Sequence, residues 1–253
     1  MTQSVLITAG ASGIGRAMAE AFDAAGATVW IVDVDRDTLD DCPGHWRRDQ
    51  LDVTDEPAVV DLFARLRTSW HQLDVLCANA GIAGPTARVE DIDLADWRRC
   101  LSVNLDGAFL FAKHAAPAMK RQRSGAIILT SSTAGLYGFP NRAPYAAAKW
   151  AVNGLMKTLA MELGPFGIRV NSICPGAVEG QRMEAVLQRE AEIKRTTREA
   201  IYRGYAAGTS MRSFVTAADV AAMAVFLASE GARLVSGQMV AVDGHTENPD
   251  PKV

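Results

Sequence analysis

The chain has 253 residues, of which 49% are hydrophobic and 22% charged, and its net charge is −3. A chain of this length and apolarity can bury a large core, which excludes a disordered or fibrous protein. The scattered Lys and Arg residues lack the electrostatic footprint of a nucleic-acid binder. No spacer, low-complexity tract or repeat divides the chain, so one domain over residues 1–253 is expected.

The N-terminal stretch Met1-Thr-Gln-Ser-Val5 enters an apolar strand without a basic or long apolar leader, and no stretch reaches transmembrane length. A cytoplasmic protein with no membrane partner is expected. Val5–Ile7 predicts a strand, Thr8 to Gly15 a glycine-rich turn and Arg16–Ala25 a helix. In that order Gly10, Gly13 and Gly15 let the backbone approach a pyrophosphate at the positive end of the helix. A glycine turn often does no more than join a strand to a helix. Here, though, the next strand, Thr28–Val32, ends at Asp33, eighteen residues past Gly15. A carboxylate there accepts hydrogen bonds from both ribose hydroxyls and repels a 2′-phosphate, which reads as NAD over NADP. Arg36 is the residue that would support a phosphate instead.

Leu73–Ala78, Gly125–Thr130 and Ile168–Ile173 are strand-like and helical stretches separate them. The alternation implies an α/β fold: a Rossmann-type, doubly wound parallel sheet with helices on both faces. Ligands of such sheets lie beyond the carboxyl ends of the strands. Asp52, Asn79-Ala80-Gly81, Ser131-Ser132 and Pro175-Gly176 all fall just past predicted strand ends, at the edge that carries the glycine turn. Cys42, Cys77, Cys100 and Cys174 form no C-x-x-C pair and read as reduced thiols. The four histidines show no metal-ligand spacing, and no metal site is expected.

Pro144 suits the first position of a helix, and the Ala-, Leu- and Met-rich run from Tyr145 to Leu163 extends it. Tyr145 and Lys149 then share one helical face. A unit positive charge about 4 Å from the phenol, at an effective dielectric of ~20, is worth ~4 kcal/mol, roughly three pKa units, which brings Tyr145 toward neutrality. Such a group can take a proton from an alcohol or return one to a carbonyl. Alone, the pair reads rather as a ring packed on the core beside a solvated amine. Ser132, thirteen residues ahead of Tyr145, and the nucleotide loop overturn that reading.

Taken together these motifs resemble the short-chain dehydrogenase/reductase family, in its soluble single-domain form, over nearly the whole chain. Thr8 to Gly15 resembles its cofactor loop, Asn79-Ala80-Gly81 its sheet-stabilising turn, and Ser132 with Tyr145 and Lys149 its Ser and Y-x-x-x-K. Asn104 matches its catalytic asparagine. The resemblance implies interconversion of a secondary alcohol and a ketone with Tyr145 as general acid/base and Ser132 holding the substrate oxygen. It implies that Lys149 binds the nicotinamide ribose and lowers the Tyr145 pKa, while Asn104 positions a water. Ser12, Gly13, Ile14 and Gly15 would then contact NAD, as would Gly10 and Asp33. Asp52 and Val53 would contact the adenine, and Pro175, Gly176 and Val178 the carboxamide. A homotetramer pairing the helices after Asn104 and around Tyr145 is also implied.

The chain departs from the family pattern at three places. Ala9 stands at the first loop glycine, Gly180 where a threonine is frequent, and His245 where a second glycine is common.

Residues 179–212 are polar and rich in Arg and Lys, and they correspond to the family's substrate lid. Most of these cations read as a solvated helical face. Arg182 and Arg203 are the candidates to clamp an anionic substrate such as a carboxylate or sulfonate; a polyhydroxy substrate is the other class considered. NADPH-dependent carbonyl reduction and a non-catalytic NADH-sensing protein are the alternative functions, and the complete Ser132, Tyr145, Lys149 and Asn104 set argues against the second.

Overall fold

Short apolar runs bounded by turns form strands buried on both faces, as a sheet covered by helices on each side requires. In the computed structural model, which describes residues 2–248, β1 (Ser4–Thr8), β2 (Thr28–Asp33), β4 (Val75–Ala78), β5 (Gly125–Thr130) and β6 (Ile168–Pro175) are of this kind. The helices between them are α1 (Gly13–Ala24), α2 (Arg36–Asp40), α3 (Glu56–Ser69), α4 (Leu94–Leu101), α5 (Gly107–Gln122) and α6 (Ala143–Leu163). After β6 come α7 (Gln181–Lys194), α8 (Arg198–Ala207) and α9 (Ala217–Ala228). The edge strands are β3 (Arg47–Gln50) and β7 (Met239–Val242).

All seven strands are parallel, in the order β3-β2-β1-β4-β5-β6-β7. The strand order reverses between β1 and β4, and a crevice opens there at the carboxyl edge. One apolar layer packs Phe63, Phe111, Met119 and Met156 from α3, α5 and α6 on one sheet face. The other packs Met18, Phe22, Val220 and Leu227 from α1 and α9 on the opposite face. Phe22 and Phe111 are fully buried, each worth roughly 1.5–3 kcal/mol relative to exposure. The two layers clamp the sheet and fix where its carboxyl edge lies.

Local structure departs from the sequence reading in a few places. β3, Arg-Arg-Asp-Gln, has no apolar run to announce it; it is a polar edge strand, where charge discourages pairing with other chains. Its anchor is Trp30 of β2, whose indole donates to Asp49 at 2.7 Å while Arg47 lies 5.0 Å over the ring. α6 begins at Ala143, so Pro144 is its second residue rather than its first. Between α4 and α5 the helix widens into a π-turn over Ser102–Asp106. Residues 181–207 form the pair α7 and α8, which encloses its own small core of Leu187, Ala191, Ile201 and Phe214. All four cysteines are buried and free. Among the described residues no helix is long and apolar enough to cross a membrane.

Candidate active site

The glycine turn after β1 owes its path to two close fits. A Cβ at Gly15 would lie 1.9 Å from the Ala9 carbonyl oxygen, and one at Gly10 would lie 2.6 Å from Ile31, so both positions demand glycine. Gly13 has φ +52° but faces open space. Ala9 itself takes φ +50°, a left-handed conformation that costs an L-residue about 1–2 kcal/mol. That explains why glycine is the usual occupant of this position. His245, at φ +63°, is the same case. Gly180 is different: its φ of +135° lies in a region that essentially only glycine reaches, so a threonine here would need another loop path.

The turn presents a ready cradle for a dinucleotide. Ser12 caps α1 without a side-chain hydrogen bond, and the first turn of α1 carries no acidic residue. Its N–H groups and positive dipole end therefore remain available to a phosphate. Asp33 ends β2 with one carboxylate oxygen accepting from the Ala11 N–H at 3.2 Å and the other from Asp35 at 3.3 Å. Arg36 instead pairs with Asp40 at 3.1 Å on the exposed side of α2. Past β4, the Thr8 hydroxyl accepts the N–H groups of both Asn79 and Ala80 at 2.9 Å, tying β1 to the turn that ends in Gly81.

Asn104 sits on the π-turn, 1% exposed. Widened turns of this kind interrupt the regular helical ladder and recur at functional sites. Its amide donates to the Ile82 carbonyl at 3.0 Å and the Cys100 carbonyl at 2.8 Å. Since both partners are acceptors, the amide nitrogen must face them, which leaves Oδ1 buried without a partner. A Cβ at Gly81 would lie 2.5 Å from that oxygen and 3.3 Å from Lys149 Nζ. Asn104 and Lys149 therefore line one small polar niche.

Tyr145 and Lys149 are on one face of α6, and Lys149, 3% exposed, donates to the Thr130 carbonyl at 2.8 Å. Ser132 follows β5, its hydroxyl accepting from the Ala134 N–H at 3.1 Å. Three cations surround the Tyr145 ring: Arg142 at 5.1 Å, Lys149 at 5.6 Å and Arg182 at 5.7 Å from its centroid. Burial pushes the Tyr145 phenol up, but Lys149, then Arg182, the Ser132 hydroxyl and Arg142 outweigh it and leave its pKa below the ordinary value. Burial also lowers the Lys149 pKa, which the Tyr145 charge opposes and Arg182 reinforces. The arrangement can exchange a proton with an oxygen placed between Ser132 and Tyr145.

These groups open onto one cavity of about 610 Å³. Ser12, Gly13, Ile14, Asn79, Gly81, Ser132, Tyr145, Lys149, Pro175, Gly176, Val178 and Arg182 line it, all of them expected from the sequence. Gly10, Gly15, Ala80 and Asn104 lie behind its wall, shaping it through the contacts above. Asp33, Asp52 and Val53 are likewise not on the wall: Asp52 turns to the Thr54 N–H and hydroxyl, and Val53 packs beneath Gly107. Arg203 is not brought to the site, because it projects from α8 with a 73% exposed side chain and lies 3.7 Å from Glu199. Arg198 and Arg212 are similarly engaged with Glu184 and Glu247. Of the lid arginines, Arg182 crosses the cleft to donate to the Gly81 carbonyl at 3.1 Å.

The sequence reading did not single out Arg142 or Thr130, which both line the cavity. Arg142 occupies the N-cap of α6 without a side-chain cap hydrogen bond, a place that only the structure shows, because the sequence reads the helix as starting one residue later.

Residues 8–245 match a family model described as enoyl-(acyl carrier protein) reductase. A cis-4-hydroxycyclohexanecarboxylate dehydrogenase of Sinomonas cyclohexanicum is 38% identical over 248 residues, 94% of each chain. Among solved structures, a levodione reductase superposes with a TM-score of 0.90 at 31% identity, covering 96% of both chains. An NAD+-bound xylitol dehydrogenase superposes with a TM-score of 0.92 at 27% identity, covering 95% of this chain and 97% of that one.

Proposed function

The chain belongs to the short-chain dehydrogenase/reductase family, an oxidoreductase family, and from that premise we propose that it is an NAD-dependent enzyme interconverting a secondary alcohol and its ketone, with Tyr145 as general acid/base. The observation that carries the proposal is the ring of cations around Tyr145, which favours the phenolate in a half-buried site. NAD, when bound, accepts the hydride from the alcohol or, once reduced, returns it to the ketone.

The residues divide the remaining work. Ser132 holds the reacting oxygen, and Tyr145 takes its proton during oxidation or supplies one during reduction. Lys149 lowers the pKa of the phenol and holds the nicotinamide ribose. The unpartnered Asn104 Oδ1, facing the same niche as Lys149 Nζ, positions a water that passes the proton outward. Ser12, Gly13, Ile14 and the first turn of α1 hold the pyrophosphate, with Gly10 and Gly15 setting the loop. Asp33 takes the adenine ribose, Asp52 and Val53 border the adenine, and Asn79, Ala80 and Gly81 support the inner ribose. Pro175, Gly176 and Val178 bound the nicotinamide side. Asp33 at the end of β2 and the Arg36–Asp40 pair support NAD over NADP, as does the NAD+ carried by the xylitol dehydrogenase that this chain resembles.

Segment 179–212 is proposed as the substrate lid, since α7 contributes Arg182, Met183 and Val186 to the cavity wall. A cytoplasmic homotetramer fits the large exposed apolar side chains Phe109 on α5 and Trp150 and Met161 on α6; light scattering gives its mass.

The test is to follow NADH formation at alkaline pH across secondary alcohols: cyclic alcohols, hydroxy acids, polyols and sugars. Turnover with NAD and a much weaker response to NADP supports the proposal. Tight NADH binding with no turnover of any alcohol would make the protein a sensor of the reduced cofactor, and a preference for NADPH would move the assignment to Arg36.

A further inference from the structure

Arg142 is a buried charged group on the cavity wall whose neighbours do not account for it. It stands at the start of α6 with its side chain turned inward, 5% exposed. Its guanidinium donates to the Ala83 carbonyl at 3.2 Å, yet Nε is buried and has no partner. Among the described residues no carboxylate comes within ion-pair distance of it. The lid arginines Arg198, Arg203 and Arg212, by contrast, lie near exposed glutamates.

A buried guanidinium with spare donors and no counter-charge is costly unless an anion joins it. The Tyr145 phenolate meets part of that need, but the ring presents its face to Arg142, and a ring face cannot accept the fork of N–H groups. Arg182 flanks the same ring, so the end of the cavity nearest Tyr145 is cationic. Among the described residues the only acid on the cavity wall is Glu179, an exposed residue. Phe139, Met183, Val186 and Tyr205 give the same cavity an apolar wall. A polyhydroxy compound would leave that wall wetted and Arg142 unanswered. An apolar carbon skeleton carrying a carboxylate answers both.

We propose that Arg142 is the anchor for a substrate carboxylate, and that the substrate is a hydroxy acid, or its oxo acid, with an apolar chain or ring. The proposal rests on the reading of the cavity as an alcohol-oxidising site and assigns it a substrate class. Arg142 holds the carboxylate through paired hydrogen bonds that a planar guanidinium suits. The carbinol oxygen then reaches Ser132 and Tyr145, and the skeleton lies on Phe139 and Tyr205.

The experiment uses hydroxy acids matched one for one with their carboxamides, which keep the shape and remove the charge: 3-hydroxycyclohexanecarboxylate, 3-hydroxyhexanoate and mandelate. For the wild-type enzyme the acid is preferred by kcat/KM. In Arg142→Gln that acid-to-amide ratio falls about 100-fold, mostly through KM, and Arg142→Lys recovers part of it. The ratio cancels any general change in Tyr145 acidity, and residual amide turnover reports a folded site. Binding of the matching oxo acids to the enzyme–NADH complex, read from NADH fluorescence, gives the same comparison without chemistry. If acid and amide are used alike by the wild type, or if Arg142→Gln lowers both equally, the proposal is wrong while the dehydrogenase reading stands. If nothing is turned over but oxo-acid binding still depends on Arg142, the anchor stands and the dehydrogenase reading falls.

Discussion

Replacing Lys149 by methionine removes the ammonium while keeping most of the side-chain volume. Nζ lies 5.6 Å from the Tyr145 ring centroid. At an effective dielectric of ~20, unit charges a few ångströms apart interact by about 3 kcal/mol, and Lys149 is the first of the charges that lower the Tyr145 pKa. Burial, which raises the Tyr145 pKa, would then be opposed only by Arg182, Ser132 and Arg142. Tyr145 therefore titrates higher in the variant. Alcohol oxidation needs the phenolate, so below the raised pKa the rate falls about tenfold per pH unit, and near neutrality the loss approaches 100-fold. The assay is single-turnover hydride transfer with saturating NAD and alcohol, from about pH 6 to about pH 10.5. The dissociation constant of NAD is measured separately, because Lys149 is also assigned to the ribose. The acid limb of the profile moves to higher pH and approaches the wild-type plateau at the alkaline end. A limb at the wild-type pH with a uniformly lower plateau would refute the electrostatic role and leave Lys149 as a cofactor ligand only.

Other expectations separate folding from binding. Gly13→Ala meets open space, so it folds with a loss of about 1–2 kcal/mol from its positive φ, yet its methyl intrudes on the phosphate path and NADH affinity drops. Gly15→Ala collides with the Ala9 carbonyl, and its thermal midpoint falls further than that of Gly13→Ala. Asp33→Ala removes the acceptor of the Ala11 N–H, costing about 1 kcal/mol in urea denaturation, and weakens NADH binding while narrowing discrimination against NADPH; unchanged discrimination would remove Asp33 from the cofactor site. Thr216 and Asp219 form a capping box on α9, so Thr216→Ala lowers stability by about 1 kcal/mol. The Thr216 backbone N–H and hydroxyl hold the Asp219 pKa below its ordinary value of 3.8. Its contribution is therefore complete above that pH and is lost as pH falls through the lower folded value, and Asp219→Asn abolishes that part of the acid sensitivity.

The parts of the site written in short-range spacing were legible in the chain. The glycine turn, Asp33 at a strand end, and Tyr145 with Lys149 one helical turn apart each follow from a local rule that the tertiary structure leaves intact. What escaped depends on long-range packing. β3 is polar and owes its place to the edge of the sheet and to Trp30 beneath it. The π-turn that aims Asn104 arises inside a helical stretch whose composition gives no sign of it. Arg142 is buried by segments distant in sequence, including Ala83, and its neighbour Pro144 drew attention to the helix start rather than to the cap. Arg203 was singled out from a cluster of like residues, but the phase of α8 turns it to solvent; composition alone could not distinguish it from Arg182.

The central claim is that Tyr145 moves the proton, and Tyr145→Phe tests it by deleting one oxygen from a ring that stays in place. Titration of NADH into wild type and variant, beside turnover of the best alcohol at saturating NAD, separates binding from chemistry. The account predicts NADH affinity within about threefold of wild type, with turnover reduced by at least about 100-fold at every pH. Turnover near the wild-type rate with the same acid limb would contradict it.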